Sequence, residues 1–136
     1  MPGAQLLSKH GGGGRDALGR AMILVVDDDE TVRETSADML EELGYAVMQA
    51  SSGLEALEML GRYRDVDVMV TDIRMPGMSG FELCDVASGR FGQLKMILMS
   101  GYYQPQTITR RFLQKPFRTF ELDEAIRAEL TSLDQA

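Results

Sequence analysis

Apolar and polar positions alternate in two rhythms from Met22 onward: short continuous apolar runs, and stretches in which apolar residues return every three or four positions. The first run is Met22-Ile23-Leu24-Val25-Val26, and behind it Val32, Met39, Leu40 and Leu43 recur at helical spacing until Gly44. Residues 45–50 read as a second strand. Ser52-Gly53-Leu54-Glu55 then has the form of a capping box opening a helix with Leu54, Leu57 and Leu60 inward. A third run, residues 66–71, ends at Asp72, and after a Pro76-Gly77 turn Phe81, Leu83 and Val86 begin a third helix. Residues 95–100 form a fourth strand, and a short fifth ends at Gln114. Thr119 is placed to cap a last helix with Leu122, Ile126, Leu130 and Leu133 on its inner face. Continuous apolar runs separated by amphipathic helices predict strands buried on both faces. With right-handed crossovers they give an α/β fold, a doubly wound parallel sheet covered by helices on both sides.

The chain has 136 residues, enough for one compact domain. Residues 1–20 precede the pattern and contain Gly11-Gly12-Gly13-Gly14, so they read as a flexible leader or linker, with 21–136 as the folded domain. The glycines come before the first strand and no Gly-Lys-Ser/Thr follows, which argues against a phosphate-binding loop. His10, the single histidine, falls in this leader. A net charge of −7 argues against general binding to nucleic acid or anionic membranes, and no stretch suits a bilayer span or signal peptide. The lone cysteine, Cys84, lies among apolar helix positions and reads as a buried structural thiol; a reducing, cytoplasmic setting is the expectation. The ten methionines fall mostly within the apolar stripes and read as core filling.

Chemistry concentrates where the apolar runs end. Asp27 and Asp28 close the first and Asp72 the third, and ligand sites in such sheets lie at the carboxyl ends of the strands. Three carboxylates gathered there repel unless a cation neutralises them. A hard divalent ion such as Mg2+ takes oxygen ligands and works with phosphate groups, so the cluster points to phosphoryl chemistry. Ser100 ends the fourth run, and Lys115-Pro116 follows the fifth. A carboxylate can serve as a nucleophile toward phosphorus, while an ammonium and a hydroxyl suit transferred phosphoryl oxygens.

The segments Ile23-Leu24-Val25-Val26-Asp27-Asp28-Asp29-Glu30, Val70-Thr71-Asp72-Ile73-Arg74-Met75-Pro76-Gly77-Met78-Ser79-Gly80 and Phe112-Leu113-Gln114-Lys115-Pro116-Phe117 together resemble a response-regulator receiver domain of two-component signalling. The resemblance spans residues 22–133. It implies a flavodoxin-like sheet of order 2-1-3-4-5, which sets the first and third strands side by side. It implies Asp72 as phosphoacceptor and Mg2+ held by Asp27, Asp28, Asp72 and the backbone carbonyl of Arg74. Ser100 and Lys115 would bind the phosphoryl group, Ser100 and Phe112 would form the switch, and Lys115–Pro116 would be a cis peptide. The donor would be a phosphohistidine on a histidine kinase or histidine phosphotransfer protein, and the domain would be a signalling module rather than an enzyme. The wording around Ser100-Gly101-Tyr102 and residues 112–117 looks like receivers of hybrid sensor kinases.

One departure stands out. Ser100 and Lys115 are 15 positions apart, shorter than is usual in the family by about two helical turns. Residues 104–110 therefore leave room for only a stub of the fourth helix, and Arg110-Arg111 stands in its place. This shortening keeps open a receiver-like scaffold that works without phosphorylation. Another reading takes Asp27-Asp28-Asp29-Glu30-Thr31 as the Asp-x-Asp-x-Thr motif of a haloacid-dehalogenase-type phosphatase with Asp27 as nucleophile, but it leaves residues 72–80 unexplained.

Overall fold

A computed structural model describes residues 19–102 and 108–132. Strands β1 (Met22–Val26), β2 (Ala46–Ala50), β3 (Val68–Asp72), β4 (Lys95–Ser100) and β5 (Arg111–Gln114) alternate with helices α1 (Glu30–Glu42), α2 (Gly53–Arg62), α3 (Gly80–Arg90) and α4 (Thr119–Thr131). The strands form one sheet of order β2-β1-β3-β4-β5, every neighbouring pair parallel. The register sets Val26 beside Thr71 and Asp72 beside Met99, so β1, β3 and β4 finish at the same edge.

Side chains leave each strand alternately to opposite faces, and the two faces are two cores. Leu24, Val26, Met69, Met96 and Leu98 meet α2 and α3 through Ala56, Leu57, Leu60, Leu83, Cys84 and Ala87. On the other side Ile23, Val25, Val68, Val70, Ile97 and Met99 meet Leu40 of α1 and Leu122, Ala125 and Ile126 of α4. The central strand β3 is buried along its whole length, so its continuous apolar run has the cause assumed from sequence: helices cover both of its sides. Met69, Met75, Met96 and Met99 are core residues, and Cys84 is fully buried, its thiol pushed up to about 11 by desolvation.

Two expectations about helix faces and caps need correction. Leu54 points outward and is 71% exposed, because α2 seats its smaller Gly53 and Ala56 against the sheet beside Leu57 and Leu60. On α3, Phe81 is 40% exposed, while Gly80, Leu83, Cys84 and Ala87 take the inner face. Arg118, not Thr119, occupies the N-cap of α4, and its backbone N–H donates to the Glu121 carboxylate at 2.7 Å.

The Ser52 cap is present, its hydroxyl accepting from the Glu55 N–H at 3.1 Å. The Glu55 carboxylate, however, turns back one residue further, to the N–H and hydroxyl of Ser51. Ser79 and Glu82 form the reciprocal capping box of α3. Between β4 and β5, residues 108–110 are not helical; the remainder of the expected stub falls in 103–107, outside the described residues, as do most of the leader with His10, and Leu133.

Candidate phosphoryl-transfer site

Asp27 is the first residue past β1 and is almost fully buried, its N–H donating to the Ala50 carbonyl at 3.2 Å. Its two carboxylate oxygens have different partners. Oδ1 accepts the Asp29 N–H at 3.0 Å, and Oδ2 accepts from Lys115 Nζ at 2.8 Å. Asp29 in turn caps α1 by accepting the Val32 N–H at 3.1 Å. Acid residues after β1 thus divide their tasks: Asp29 opens the helix, Asp27 faces inward and Asp28 stands exposed at the rim. Arg33, one turn into α1, donates from Nη1 to the Asp27 carbonyl at 2.9 Å and from Nε to Gln49 Oε1 at 3.0 Å, tying this loop to β2. Sequence gave no signal for that brace.

Asp72 is the last residue of β3. The chain behind it stays bound to the sheet, with the Ile73 N–H on the Met99 carbonyl at 3.0 Å, then turns at Gly77 (φ +77°) and returns to α3, where the Gly80 N–H reaches the Ile73 carbonyl at 2.8 Å. Ser100 ends β4 and is buried; its Oγ accepts the Tyr102 N–H at 3.1 Å, and its carbonyl accepts the Lys115 N–H at 2.8 Å. This last bond continues the β4–β5 pairing past Gln114 and brings Lys115 to the acidic edge. The Lys115–Pro116 peptide is cis.

Lys115 Nζ lies 2.8 Å from Asp27 and 3.1 Å from Asp72 Oδ1, while oxygens of Asp27, Asp28 and Asp72 all fall within 4.8 Å of one another. Burial raises the Asp72 pKa, with Asp27 and Asp28 adding to the rise against the opposing pull of Lys115. Burial alone would lower the Lys115 pKa; its hydrogen bond and charge interactions with Asp27, then Asp72, outweigh burial and leave it raised. With one ammonium against three ionised carboxylates, the cluster keeps two negative charges in excess. The surplus and the all-oxygen donor set suit a small hard divalent cation, and suit poorly a metal that prefers sulfur or imidazole.

Two further groups stand at the rim. The Arg74 guanidinium lies 4.3 Å from the centroid of the Tyr102 ring, and both residues are exposed. Phe112, on β5 opposite Leu98, is partly buried against the core shared with α2 and α3.

A five-stranded parallel sheet of this order, with carboxylates at the ends of its first and third strands and a lysine after its fifth, defines a receiver-type α/β domain. The response regulator receiver domain family matches residues 23–127, and the chain belongs to that family. It is 38% identical over 113 residues to the transcriptional regulatory protein FixJ of Azorhizobium caulinodans, covering 78% of this chain and 53% of FixJ. It is 33% identical over 127 residues to the sensor kinase CckA of Brucella abortus, covering 88% of this chain and 13% of CckA. The chain therefore spans about half of FixJ and a small part of CckA. Among solved structures, the response regulator TrrA of Thermotoga maritima in complex with Mg2+-BeF superposes with a TM-score of 0.73 at 31% identity, covering 79% of this chain and 96% of that one. The chain is thus a receiver domain of two-component signalling. No helix among the described residues is long and apolar enough to cross a membrane.

Proposed function

We propose that Asp72 accepts a phosphoryl group from a phosphohistidine on a histidine kinase or histidine phosphotransfer protein, and that residues 21–136 act as a phosphorylation-dependent signalling module rather than as an enzyme, with 1–20 as a leader. The observation that carries this reading is the meeting of Lys115 Nζ with both Asp27 and Asp72 at the edge where the three carboxylates converge. An Asp72 carboxylate oxygen attacks phosphorus, a P–O bond forms as the P–N bond to the donor imidazole breaks, and the imidazole leaves with the electron pair of that bond and takes up a proton. Phosphoryl transfer asks for positioning and charge neutralisation more than for a dedicated base, which a rigid strand end supplies.

Asp27, Asp28, Asp72 and the Arg74 carbonyl would hold Mg2+, which when bound supplies charge neutralisation to the transferring group. Lys115 moves its ammonium toward the phosphoryl oxygens once they compete with the carboxylates, and Ser100 offers its hydroxyl from the neighbouring strand end. Ser100 and Phe112 form the switch, a shift between two packings of the β4 and β5 side chains that alters the partner-facing surface. The relatives FixJ, a transcriptional regulator, and CckA, a sensor kinase, support a setting in which such a domain takes its phosphoryl group from a kinase and passes a signal to another protein or domain.

Incubation with acetyl phosphate and Mg2+, followed by intact mass measurement, tests the reading. One added phosphoryl group is expected on the wild type, none on Asp72→Asn, and none when EDTA is present. Labelling that persists in Asp72→Asn and disappears in Asp27→Asn would move the acceptor to Asp27. No labelling with either acetyl phosphate or a phosphohistidine donor would leave a scaffold.

A further inference from the structure

Away from the acidic edge, α2 and α3 lie side by side on one face of the sheet and present an outer surface that the receiver chemistry does not use. Of five large hydrophobic side chains exposed among the described residues, Leu54, Tyr63 and Phe81 are on or beside these two helices. Both helices begin near the carboxyl ends of the strands and run back toward the amino ends, so they are parallel to each other. Their two ends differ in charge and shape. At the starting end, Leu54, Met78 and Val86 line an apolar groove of about 570 Å³ whose rim carries Glu82 and Asp85. At the finishing end, Tyr63 and Phe91 line a second groove, of about 270 Å³, whose rim carries Arg64 and Arg90. Arg64 lies over the Phe91 ring at 5.4 Å, and Asp85 pairs with Arg110 at 3.8 Å.

We infer that the α2–α3 face binds a second copy of this chain in antiparallel fashion about a two-fold axis. In an isologous pair each patch meets its counterpart across the axis, so a face with opposite charge at its two ends complements itself when one copy is inverted. Leu54 of one copy then covers the aromatic groove between Tyr63 and Phe91 of the other, and Glu82 and Asp85 oppose Arg64 and Arg90 twice over. A partner carrying charge of only one sign would satisfy one end of the face and leave the other facing like charge. Helices of 10 and 11 residues are about 15–17 Å long, so the face falls at the small end of specific interfaces. The pair is accordingly weak, and each copy's acidic phosphoryl-transfer edge stays outside it.

Sedimentation velocity of the full chain, from micromolar to near-millimolar concentration, tests this assignment. The weight-average mass should climb from 15.1 kDa toward twice that value for the wild type and stay at the monomer for Leu54→Glu. Leu54 is exposed, so that variant keeps its core, and Tyr63→Ser, also at an exposed side chain, gives a second, independent lesion at the other end of the face. Phe120→Glu, exposed on α4, should associate like wild type. Asp85→Lys and Arg90→Glu should each weaken association, and the two reversals combined should restore it. A wild type that remains monomeric throughout overturns the proposal and leaves the face to a different protein. Unchanged association in both Leu54→Glu and Tyr63→Ser, loss in Phe120→Glu, or failure of the double reversal to recover would overturn it as well.

Discussion

Gly80 stands so close to the main chain of Asp72 that a Cβ added there would meet the Asp72 carbonyl oxygen and lie 2.9 Å from the Ile73 Cα. The obstacle is backbone, and backbone held in a central strand cannot step aside as a side chain can. Gly80→Ala should therefore lower stability by about 1–3 kcal/mol, the usual range for overpacking, and reduce phosphorylation by acetyl phosphate by displacing Asp72. Urea unfolding checks the first part; a loss near zero would show that the loop relaxes freely.

Lys115 pairs with the carboxylates of both Asp27 and Asp72, and its side chain is 20% exposed. Removing it leaves a buried carboxylate cluster without its counter-charge. Lys115→Ala should cost about 1–3 kcal/mol in EDTA, and the deficit should narrow when Mg2+ is added, since a divalent cation neutralises the same oxygens. Paired melts with and without Mg2+ decide this: a deficit indifferent to the metal would mean that lysine and cation act on separate charges.

Tyr45 donates its hydroxyl to Asp123 Oδ1 at 2.8 Å, and Asp123 Oδ2 accepts from Arg127 at 3.0 Å, which fastens the entry to β2 onto α4. Burial, then the hydrogen bond to Asp123, pushes the phenol up to about 12. A raised acid pKa means that the folded state holds this proton more tightly than the unfolded chain, whose tyrosines titrate near 10. The contribution is complete below pH ~10 and is lost as pH rises toward the folded value. Phenolate absorbance should show an ionisation near pH 12 that is missing from Tyr45→Phe. The same variant should lose about 1 kcal/mol at neutral pH, the ordinary worth of one hydrogen bond.

Arg74, two residues past Asp72, and Tyr102, two past Ser100, stack on each other from two different loops. If Asp72 carries the phosphoryl group, their bulk slows the entry of water and gives a long-lived phosphoprotein. Arg74→Ala and Tyr102→Ala should each shorten its lifetime by about two- to fivefold, in keeping with a cation–π contact worth 0.5–1 kcal/mol at an exposed site. The double variant should be little faster than either single one. A wild-type phosphoryl group that decays within seconds would contradict the idea.

Most of the architecture was legible in the sequence because strand ends announce themselves: an apolar run that stops at Asp27, Asp72 or Ser100 marks both the strand and the edge where ligands gather. Helix faces were harder to read. Leucine outweighs glycine and alanine in any apolar pattern, yet α2 turns Gly53 and Ala56 inward and Leu54 outward, because Met78 already occupies the space over Gly53, its Sδ lying 2.8 Å from where a Cβ would stand. The cap of α4 was missed because Thr119 is the better N-cap residue while Arg118 takes the position, with Glu121 supplying the bond to its N–H. The Gly80 packing left no trace in the sequence either, since a glycine after Ser79 reads as turn chemistry. The contact distances that require it exist only between segments the fold brings together.

Lys115 and Asp27 are 88 positions apart in the chain, and their ion pair closes across β4, β3 and β1 together. Neither half of the protein contains the site, and a chain released before its last strand holds the carboxylates without the ammonium that gathers them. If Asp72 accepts the phosphoryl group, competence to be charged therefore requires the sheet to be complete from β1 to β5. On that reading, a copy whose last strand is displaced would stay silent instead of sending a partial signal.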